Sequence, residues 1–281
     1  MTEPTTDEAV LRQWIGNEQH ADDTIMAGPA TRMAATLDAP RAYGEGDALP
    51  ALWHWFYFLQ AAPMAEVDRD GHTAKGGFLP PVALPRRMWA GSHFTFHEPV
   101  RVGMQVAKTS RVKDVTVKEG RSGTLCFVTV EHRFESEGTL LLVEDHNVVF
   151  REDPAPDQPV RQAEPAPAST EWHREIVPGP VFLFRYSALT FNGHRIHYDR
   201  PYCTDVEGYP GLIVHGPLTG TLLAGLAEEK LGRLKTWQFT ARSPLFDTAP
   251  FSIDGERTED GGRFWATDPS GGLAMEGTAS A

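Results

Sequence analysis

The segment from Asn192 to Asp199 concentrates side chains that can move a proton. It reads Asn-Gly-His-Arg-Ile-His-Tyr-Asp, and His194, His197 and the later His215 are three of the eleven histidines in the chain. An imidazole titrates near neutrality, so it can take a proton from water and return one in the same turnover. An asparagine amide does not titrate but can hold a water or a carbonyl in place. The segment therefore predicts acid–base chemistry centred on its histidines.

Two other interpretations of these histidines stay open. A single histidine beside the end of a strand is more often a structural hydrogen-bonding residue than a base. The His-x-x-His spacing, completed by His215 or Asp199, would also supply ligands for zinc. Because the helical HExxH signature and paired cysteine ligands are missing, the favoured hypothesis has neither a metal nor another cofactor.

A second candidate element is the sequence Ile-Val-His-Gly-Pro-Leu at residues 213–218, where a helix is predicted to begin. A helix N-terminus exposes N–H groups with partial positive charge, and Gly216 would let a ligand approach the backbone closely. Such a position can stabilise a thioester that becomes enolate-like, an effect of about 3–4 kcal/mol for one good donor. The alternative is an ordinary helix start.

The elements that must position these residues fall into two halves. Residues 100–118, 124–135 and 139–150 are rich in strand-forming residues and predict an antiparallel meander with a turn at 120–123. Residues 24–37 and 52–59 predict helices, although the aromatic character of the second also permits a strand. Later, residues 180–187 predict a strand or its approach, 216–231 a helix that Gly232 ends, and 236–242 and 263–266 strands.

A proline-rich segment divides the chain. Residues 151–169 contain five prolines among charged and small residues, which is typical of an extended, solvated linker. The sequence thus predicts an N-terminal domain at 1–150, a linker at 151–169 and a C-terminal domain at 170–281. Each half offers helical material followed by antiparallel strands, an α+β pattern that could be used twice.

Composition argues against several classes of function. With 26 Lys and Arg against 38 Asp and Glu, the formal charge of −12 disfavours nucleic acid and anionic membranes as partners. The N-terminus does not resemble a signal peptide, and no stretch is long enough to span a membrane, so a cytoplasmic protein is expected. The two cysteines, Cys126 and Cys203, provide no disulfide framework, and Cys126 is expected in the core. Exposed edge strands favour a homodimer.

Together the two candidate elements resemble the MaoC-like (R)-specific enoyl-CoA hydratases, whose motif D-x-N-P-x-H is followed by H-G at a central hotdog helix. The resemblance puts His197 on the catalytic histidine and Gly216 on the oxyanion glycine. The chain departs from the motif at three positions, since Asn192 replaces the aspartate, His194 the asparagine and Arg195 the proline. The run at 185–199 and several stretches of the first half are more similar to a subgroup, the mitochondrial-type 3-hydroxyacyl-thioester dehydratases and the mesaconyl-C4-CoA or itaconyl-CoA hydratases.

The resemblance implies a double-hotdog fold in which the C-terminal hotdog is catalytic and the N-terminal one shapes the acyl pocket. It implies reversible hydration of an α,β-unsaturated acyl-CoA, for example one with a C5-dicarboxylic acyl group. In this scheme His197 deprotonates a water held partly by Asn192, and the Gly216 amide stabilises the enolate. The remaining candidate residues would contact the substrate: His194, Arg195, Tyr198 and His215.

Several alternatives remain at this level. Arg195 would otherwise form a solvated salt bridge, and residues 76–91 would be either a substrate-lining loop or a proline-rich crossing. A hotdog acyl-CoA thioesterase would need an acid on the central helix, where the early part at 216–225 has none and Glu228 and Glu229 come late. A non-catalytic acyl-CoA-binding module is the third class of function.

Overall fold

In the computed structural model, which describes residues 3–39, 41–71, 77–120, 123–152 and 163–281, the strands form one antiparallel sheet. Its order is β1-β3-β4-β5-β2-β7-β10-β9-β8-β6. The strands are β1 (Glu18–Thr24), β2 (Arg86–Phe96), β3 (Gln105–Gly120), β4 (Gly123–Ser136), β5 (Thr139–Arg151), β6 (Trp172–Ile176), β7 (Thr236–Ala241), β8 (Phe251–Thr258), β9 (Gly261–Thr267) and β10 (Leu273–Ser280). The α-helices are α1 (Glu8–Leu11), α2 (Ala27–Thr36), α3 (Pro180–Leu189) and α4 (Gly216–Leu231).

The sheet consists of two five-stranded halves joined edge to edge. β1 to β5 come from the first half of the chain and β6 to β10 from the second, and they meet where β2 pairs with β7 in antiparallel register. α4 packs on β7 to β10, whereas α2 contacts α3. The predicted linker at 151–169 falls between β5 and β6, and its residues 153–162 lie outside the described part of the chain. The division into two domains stays a prediction.

One hydrophobic core extends under both halves of the sheet. Phe94 of β2 and Trp237 of β7 are fully buried beside the junction, together with Leu218 and Leu223 of α4. Burying each such side chain stabilises the fold by about 1.5–3 kcal/mol. The predicted meander and the predicted helix at 216–231 are confirmed. Cys126 is buried as expected, in a second, smaller cluster of the N-terminal half.

The predicted strand at 180–187 was wrong, because these residues form most of α3. The run of consecutive apolar residues suits a buried strand or a helix equally well. Burial shows the helical period: Leu183 and Tyr186 are buried, whereas Val181 and Phe184 are exposed. The helix predicted at 24–37 is present as α2, and residues 52–59 contain one turn of 3-10 helix, Trp53–Phe56.

Five of the described strands were not predicted from the sequence: β1, β2, β6, β8 and β10. β1 and β6 are the two edges of the described sheet, and their sequences, EQHADDT and WHREI, are too polar to show a strand pattern. Charged side chains at an edge oppose further strand pairing. The homodimer that was predicted from exposed edges therefore stays a prediction.

The described part of the segment 76–91 behaves as a crossing. Phe78 and Leu79 pack against the second apolar cluster, and the segment enters β2 at Arg86. The predicted turn at 120–123 joins β3 to β4, and its two central residues lie outside the described ranges. Within the described ranges, no helix combines the length and apolar character needed to cross a membrane.

Candidate active site

The candidate motif begins where α3 ends. Phe191 adopts a positive φ of 51°, which reverses the chain, and the Asn192 N–H donates to the Ser187 carbonyl at 2.8 Å. The Asn192 side-chain Oδ1 then accepts the His194 N–H at 3.0 Å, forming an Asx turn. The Asx turn is followed directly by a 3-10 turn, Arg195–His197. Together the two turns set the orientation of the histidines.

His197 is held in one tautomer. Its side chain is 7% exposed, and Nδ1 lies 2.7 Å from the carbonyl oxygen of Ile213. A carbonyl only accepts hydrogen bonds, so Nδ1 carries the proton and the lone pair of the neutral ring lies on Nε2. The Ile213 N–H also donates to the Ile196 carbonyl at 3.0 Å, which ties the two segments together. This tautomer is the one that a general base with Nε2 as acceptor requires.

The His215 ring packs against the His197 ring. Their rings are stacked with centroids 3.7 Å apart, and His215 Nε2 shares a 2.8 Å hydrogen bond with the Ser187 hydroxyl. Burial, with smaller contributions from His197 and His194, lowers the pKa of His215 well below its ordinary value, so the ring is neutral at pH 7. Its side chain has no exposed surface. That burial favours a positioning role over the predicted contact with substrate.

Gly216 is the first residue of α4, and His215 is the N-cap. The first backbone hydrogen bond of the helix runs from the Thr219 N–H to the His215 carbonyl at 3.1 Å, so the amides of the first turn have no acceptor within the helix. A Cβ built on Gly216 would lie 3.9 Å from the indole of Trp89. The helix start therefore lies beside a side chain that β2 brings from the N-terminal half.

The Arg195 guanidinium is held by contacts within the protein. Its Nε and Nη2 bind Asp199 Oδ2 at 3.0 and 2.8 Å, Nη1 donates to the Arg69 carbonyl at 3.0 Å, and the guanidinium lies 4.0 Å from the Tyr202 ring centroid. The Arg195 hydrogen bond lowers the pKa of Asp199. The observed arrangement is thus the salt bridge that was the alternative to substrate binding.

The other two candidate substrate contacts lie on either side of His197. The His194 ring meets the His197 ring edge-on, with centroids 5.4 Å apart. The Tyr198 hydroxyl donates to the Gly193 carbonyl at 2.9 Å, and 44% of this residue is exposed. His194, His197 and His215 therefore form one group, whereas Tyr198 lies at its surface.

A cleft of about 400 Å³ opens beside the motif. One wall is formed by residues 190–193, and neither His197 nor Gly216 belongs to the described lining. The facing residues all come from the N-terminal half: His54, Trp55, Tyr57, Phe58, Leu59, Gln60, Gly71, Lys108 and Phe134. This lining agrees with an N-terminal half that shapes the pocket.

A buried polar cluster that was not predicted from the sequence lies near this wall. Glu144, 2% exposed, accepts hydrogen bonds from the Ser92 hydroxyl at 3.0 Å and from Trp55 Nε1 at 3.1 Å, with His54 Nε2 at 3.5 Å. Burial opposes ionisation of Glu144, but hydrogen bonds from His146 and His54 hold its pKa well below the usual range. Strand alternation could have found the cluster, because it places charged residues on the inward face.

The histidine of β4 in this cluster makes the fold sensitive to acid. Burial, and then the charge of Lys108, lowers the pKa of His132 to about 3. In the unfolded chain His132 takes up a proton near pH 6.5, whereas in the folded protein it does so only near pH 3. The free energy of unfolding therefore falls as the pH decreases from 6.5 towards 3. We expect His132 to account for about 2 kcal/mol of the unfolding free energy lost between pH 7 and pH 5. Urea denaturation at both pH values measures this loss.

The variant His132→Gln removes the titrating group and is expected to flatten this pH dependence. The matched control, His20→Gln, changes an exposed histidine on β1 and should leave the dependence as in the wild type. Equal pH dependence in His132→Gln and the wild type would contradict the assignment.

The zinc interpretation of the histidine motif gains no support from the geometry. Within the described ranges, no three His, Cys, Asp or Glu side chains are grouped as metal ligands. The rings of His197 and His215 are stacked face to face, with an angle of 19° between their planes.

Comparison with known proteins identifies the family. The family described as hydroxyacyl-thioester dehydratase type 2 matches residues 52–247. The chain belongs to this family. It is 43% identical over 267 residues to the mesaconyl-C(4)-CoA hydratase of Chloroflexus aurantiacus, covering 94% of this chain and 95% of that protein. It is 26% identical to the mitochondrial hydroxyacyl-thioester dehydratase type 2 of Schizosaccharomyces pombe, covering 82% and 87%.

Solved structures show the same architecture for this dehydratase family member. A MaoC-like dehydratase from Phytophthora capsici superposes with a TM-score of 0.70 at 12% identity, covering 98% of both chains. HtdX from Mycobacterium tuberculosis gives 0.65 at 15% identity, covering 93% of this chain and 99% of that one. A second M. tuberculosis protein, described as having a double hotdog fold, gives 0.55 at 14% identity, covering 95% and 96%. The predicted double hotdog and the predicted class of enzyme, an acyl-thioester hydro-lyase, are confirmed.

Proposed function

We propose that this protein reversibly adds water to the double bond of a short α,β-unsaturated acyl-CoA that carries a second carboxylate, such as mesaconyl-C4-CoA. The observation that carries the proposal is the hydrogen bond from His197 Nδ1 to the Ile213 carbonyl, which leaves the basic lone pair on Nε2. The name of the Chloroflexus relative, at 43% identity, supports the choice of acyl group.

In the first step, Nε2 of His197 takes a proton from water, and the hydroxide adds to the β-carbon of the substrate. The Asn192 Oδ1 is occupied by the His194 N–H, so the NH₂ group of the same amide is the part that would donate to the water oxygen. An amide in place of the aspartate of related enzymes therefore orients the water, while His197 alone accepts the proton.

In the same addition, the electrons of the double bond move onto the thioester and form an enolate. The Gly216 N–H at the start of α4 stabilises this oxyanion. The imidazolium of His197 then returns its proton to the α-carbon, so both parts of the water end in the product and the base is regenerated. Because His215 stays neutral, the imidazolium is not opposed by a second positive charge on the stacked ring.

The carboxylates of α4 argue against the thioesterase alternative. Glu228 accepts the Ala51 N–H at 2.7 Å, which joins the last turns of the helix to the N-terminal half. Glu229 pairs with Arg174 and Lys230. Both acids therefore have structural partners more than two helical turns from Gly216.

The proposal is tested by incubating the purified protein with crotonyl-, mesaconyl-C4- and itaconyl-CoA and following product masses. We expect mesaconyl-C4-CoA to gain one water. Release of free CoA without a hydroxyacyl-CoA would favour a thioesterase. Binding of all three thioesters without turnover would favour a non-catalytic module. Either result would overturn the proposal.

A further inference from the structure

Lys108 lies on a strand position that normally belongs to the core. Along β3, Val106, Lys108, Ser110 and Val112 share one face of the sheet, and the other three are at most 2% exposed. Placing an ammonium group there costs desolvation energy unless an anion or a strong acceptor compensates for it. A lysine at such a position therefore calls for a partner.

The described residues do not supply that partner directly. The Lys108 ammonium lies 5.5 Å from the ring centroid of Phe134, and it forms neither a hydrogen bond nor an ion pair with any residue in the described ranges. Glu144 is the nearby carboxylate, but its oxygens are bound by Ser92, Trp55 and His54. The charge of Glu144 acts to raise the pKa of Lys108, although the two side chains are not in contact.

The ionisable groups around Lys108 determine its charge, and Lys108 is one of the residues that line the cleft. Burial lowers the pKa of Lys108, and the Glu144 charge opposes that shift. Burial also lowers the pKa values of His54 and His132, the two histidines that face it from the 3-10 turn and from β4, so both rings are neutral near pH 7. Near pH 7 these side chains thus include one carboxylate whose oxygens accept hydrogen bonds, Glu144, and one ammonium group, that of Lys108, a residue which lines the cleft.

The cleft places Lys108 beside the start of the motif, whereas His197 and Gly216 are not among its described lining residues. Lys108 shares its lining with Asn192 and Gly193 of the motif, and aromatic side chains occupy much of the wall between. In such a weakly polar setting, a carboxylate would form a short, charge-assisted hydrogen bond to the ammonium. Arg195, one of the substrate contacts predicted from the sequence, is bound to Asp199.

We propose that Lys108 is the specificity residue that binds the second carboxylate of the acyl group. The N-terminal half would then do more than enclose the acyl chain, because it would select dicarboxylic over neutral substrates. This inference rests on the proposed function, since it assumes that the cleft receives the acyl group which His197 hydrates.

The test compares kcat/KM of wild type and Lys108→Met for mesaconyl-C4-CoA and for crotonyl-CoA, which lacks the second carboxylate. For mesaconyl-C4-CoA we expect a fall of about 10- to 100-fold, the effect of losing one charge-assisted hydrogen bond. For crotonyl-CoA we expect less than about a threefold change, because no charged contact is lost. Lys108→Arg should recover part of the loss, since it restores a cation.

A matched control lies on the same strand. Lys113 is exposed and pairs with Asp145 and Glu131, so Lys113→Met removes a lysine from β3 without touching the cleft. It should leave both substrates unaffected. Thermal unfolding and circular dichroism of Lys108→Met establish whether that variant is folded.

The outcomes separate the two proposals. Equal losses with both substrates in a folded Lys108→Met protein would show that Lys108 is structural, and would overturn this inference alone. Hydration of crotonyl-CoA but not mesaconyl-C4-CoA by the wild type would also overturn it, while leaving the hydration chemistry in place. Failure of the wild type to hydrate any of the thioesters would overturn both.

Discussion

Replacing His197 by alanine is expected to lower kcat for hydration by at least about 10³-fold, because general acid–base catalysis by one positioned side chain contributes roughly 10²–10⁴. The same imidazole takes the proton of water and returns a proton to the α-carbon, so its loss affects both steps. The Nδ1 bond to Ile213 and the stacking on His215 hold Nε2 ready for this exchange. The decrease of enoyl-thioester absorbance at saturating substrate measures kcat.

The variant must remain folded for this result to carry weight. Removing the buried ring breaks the hydrogen bond to Ile213 and the ring contacts with His194 and His215, which costs about 1–3 kcal/mol of unfolding free energy. Activity should therefore be assayed well below the midpoint of thermal unfolding. His20→Ala, an exposed histidine on β1, serves as the control and should match the wild type. Turnover by folded His197→Ala within tenfold of wild type would remove His197 from the mechanism.

A valine at position 216 is expected to lower kcat/KM by about 10²–10³-fold, the usual effect of losing one oxyanion donor. The backbone N–H remains in this variant, but the branched side chain fills the space between the helix start and Trp89. A Cβ on Gly216 meets the indole at 3.9 Å, an ordinary contact distance. An alanine therefore fits without strain, whereas the larger valine is expected to keep a thioester oxygen from the amide. Thermal unfolding establishes whether Gly216→Val is folded.

The same helix offers a matched control. Gly225 lies nine residues further along α4, and a Cβ built there meets nothing within 4 Å. Gly225→Val adds an identical side chain to α4, so hydration should be unchanged. Gly216→Ala should fall between the wild type and Gly216→Val. Wild-type kcat/KM in folded Gly216→Val would mean that the oxyanion is stabilised elsewhere.

The local parts of the candidate site could be predicted from the sequence. The Asx turn of Asn192 and the glycine that begins α4 depend on residues a few positions apart. The helical stripe of α4 and the strand-rich runs of β3 to β5 are likewise periodic along the chain. Such patterns do not depend on distant parts of the chain, so they predicted these elements correctly. The roles of His197 and Gly216 stay predictions.

Features that depend on distant segments were decided only by the tertiary structure. α3 was taken for a strand because the short apolar run at 180–184 fits both structures until its neighbours determine which side chains are buried. Arg195 pairs with Asp199 one turn away, and it also binds the carbonyl of Arg69, which comes from the other half of the chain. The polar edge strands gave no strand pattern at all, since pairing rather than burial holds them.

The buried polar cluster shows this limit most clearly. Lys108, His132 and Glu144 stand on three successive strands, and each taken singly suits a solvated surface. Antiparallel register sets His132 opposite both Ser110 and Glu144, and the β2–β7 junction brings the second half of the chain against this layer. The sequence by itself determined the helix start at Gly216 and the histidine-rich segment before it, for which it predicts acid–base chemistry. Tertiary structure alone decided which cation faces the cleft, because desolvation and charge pairing depend on contacts between residues far apart in the chain.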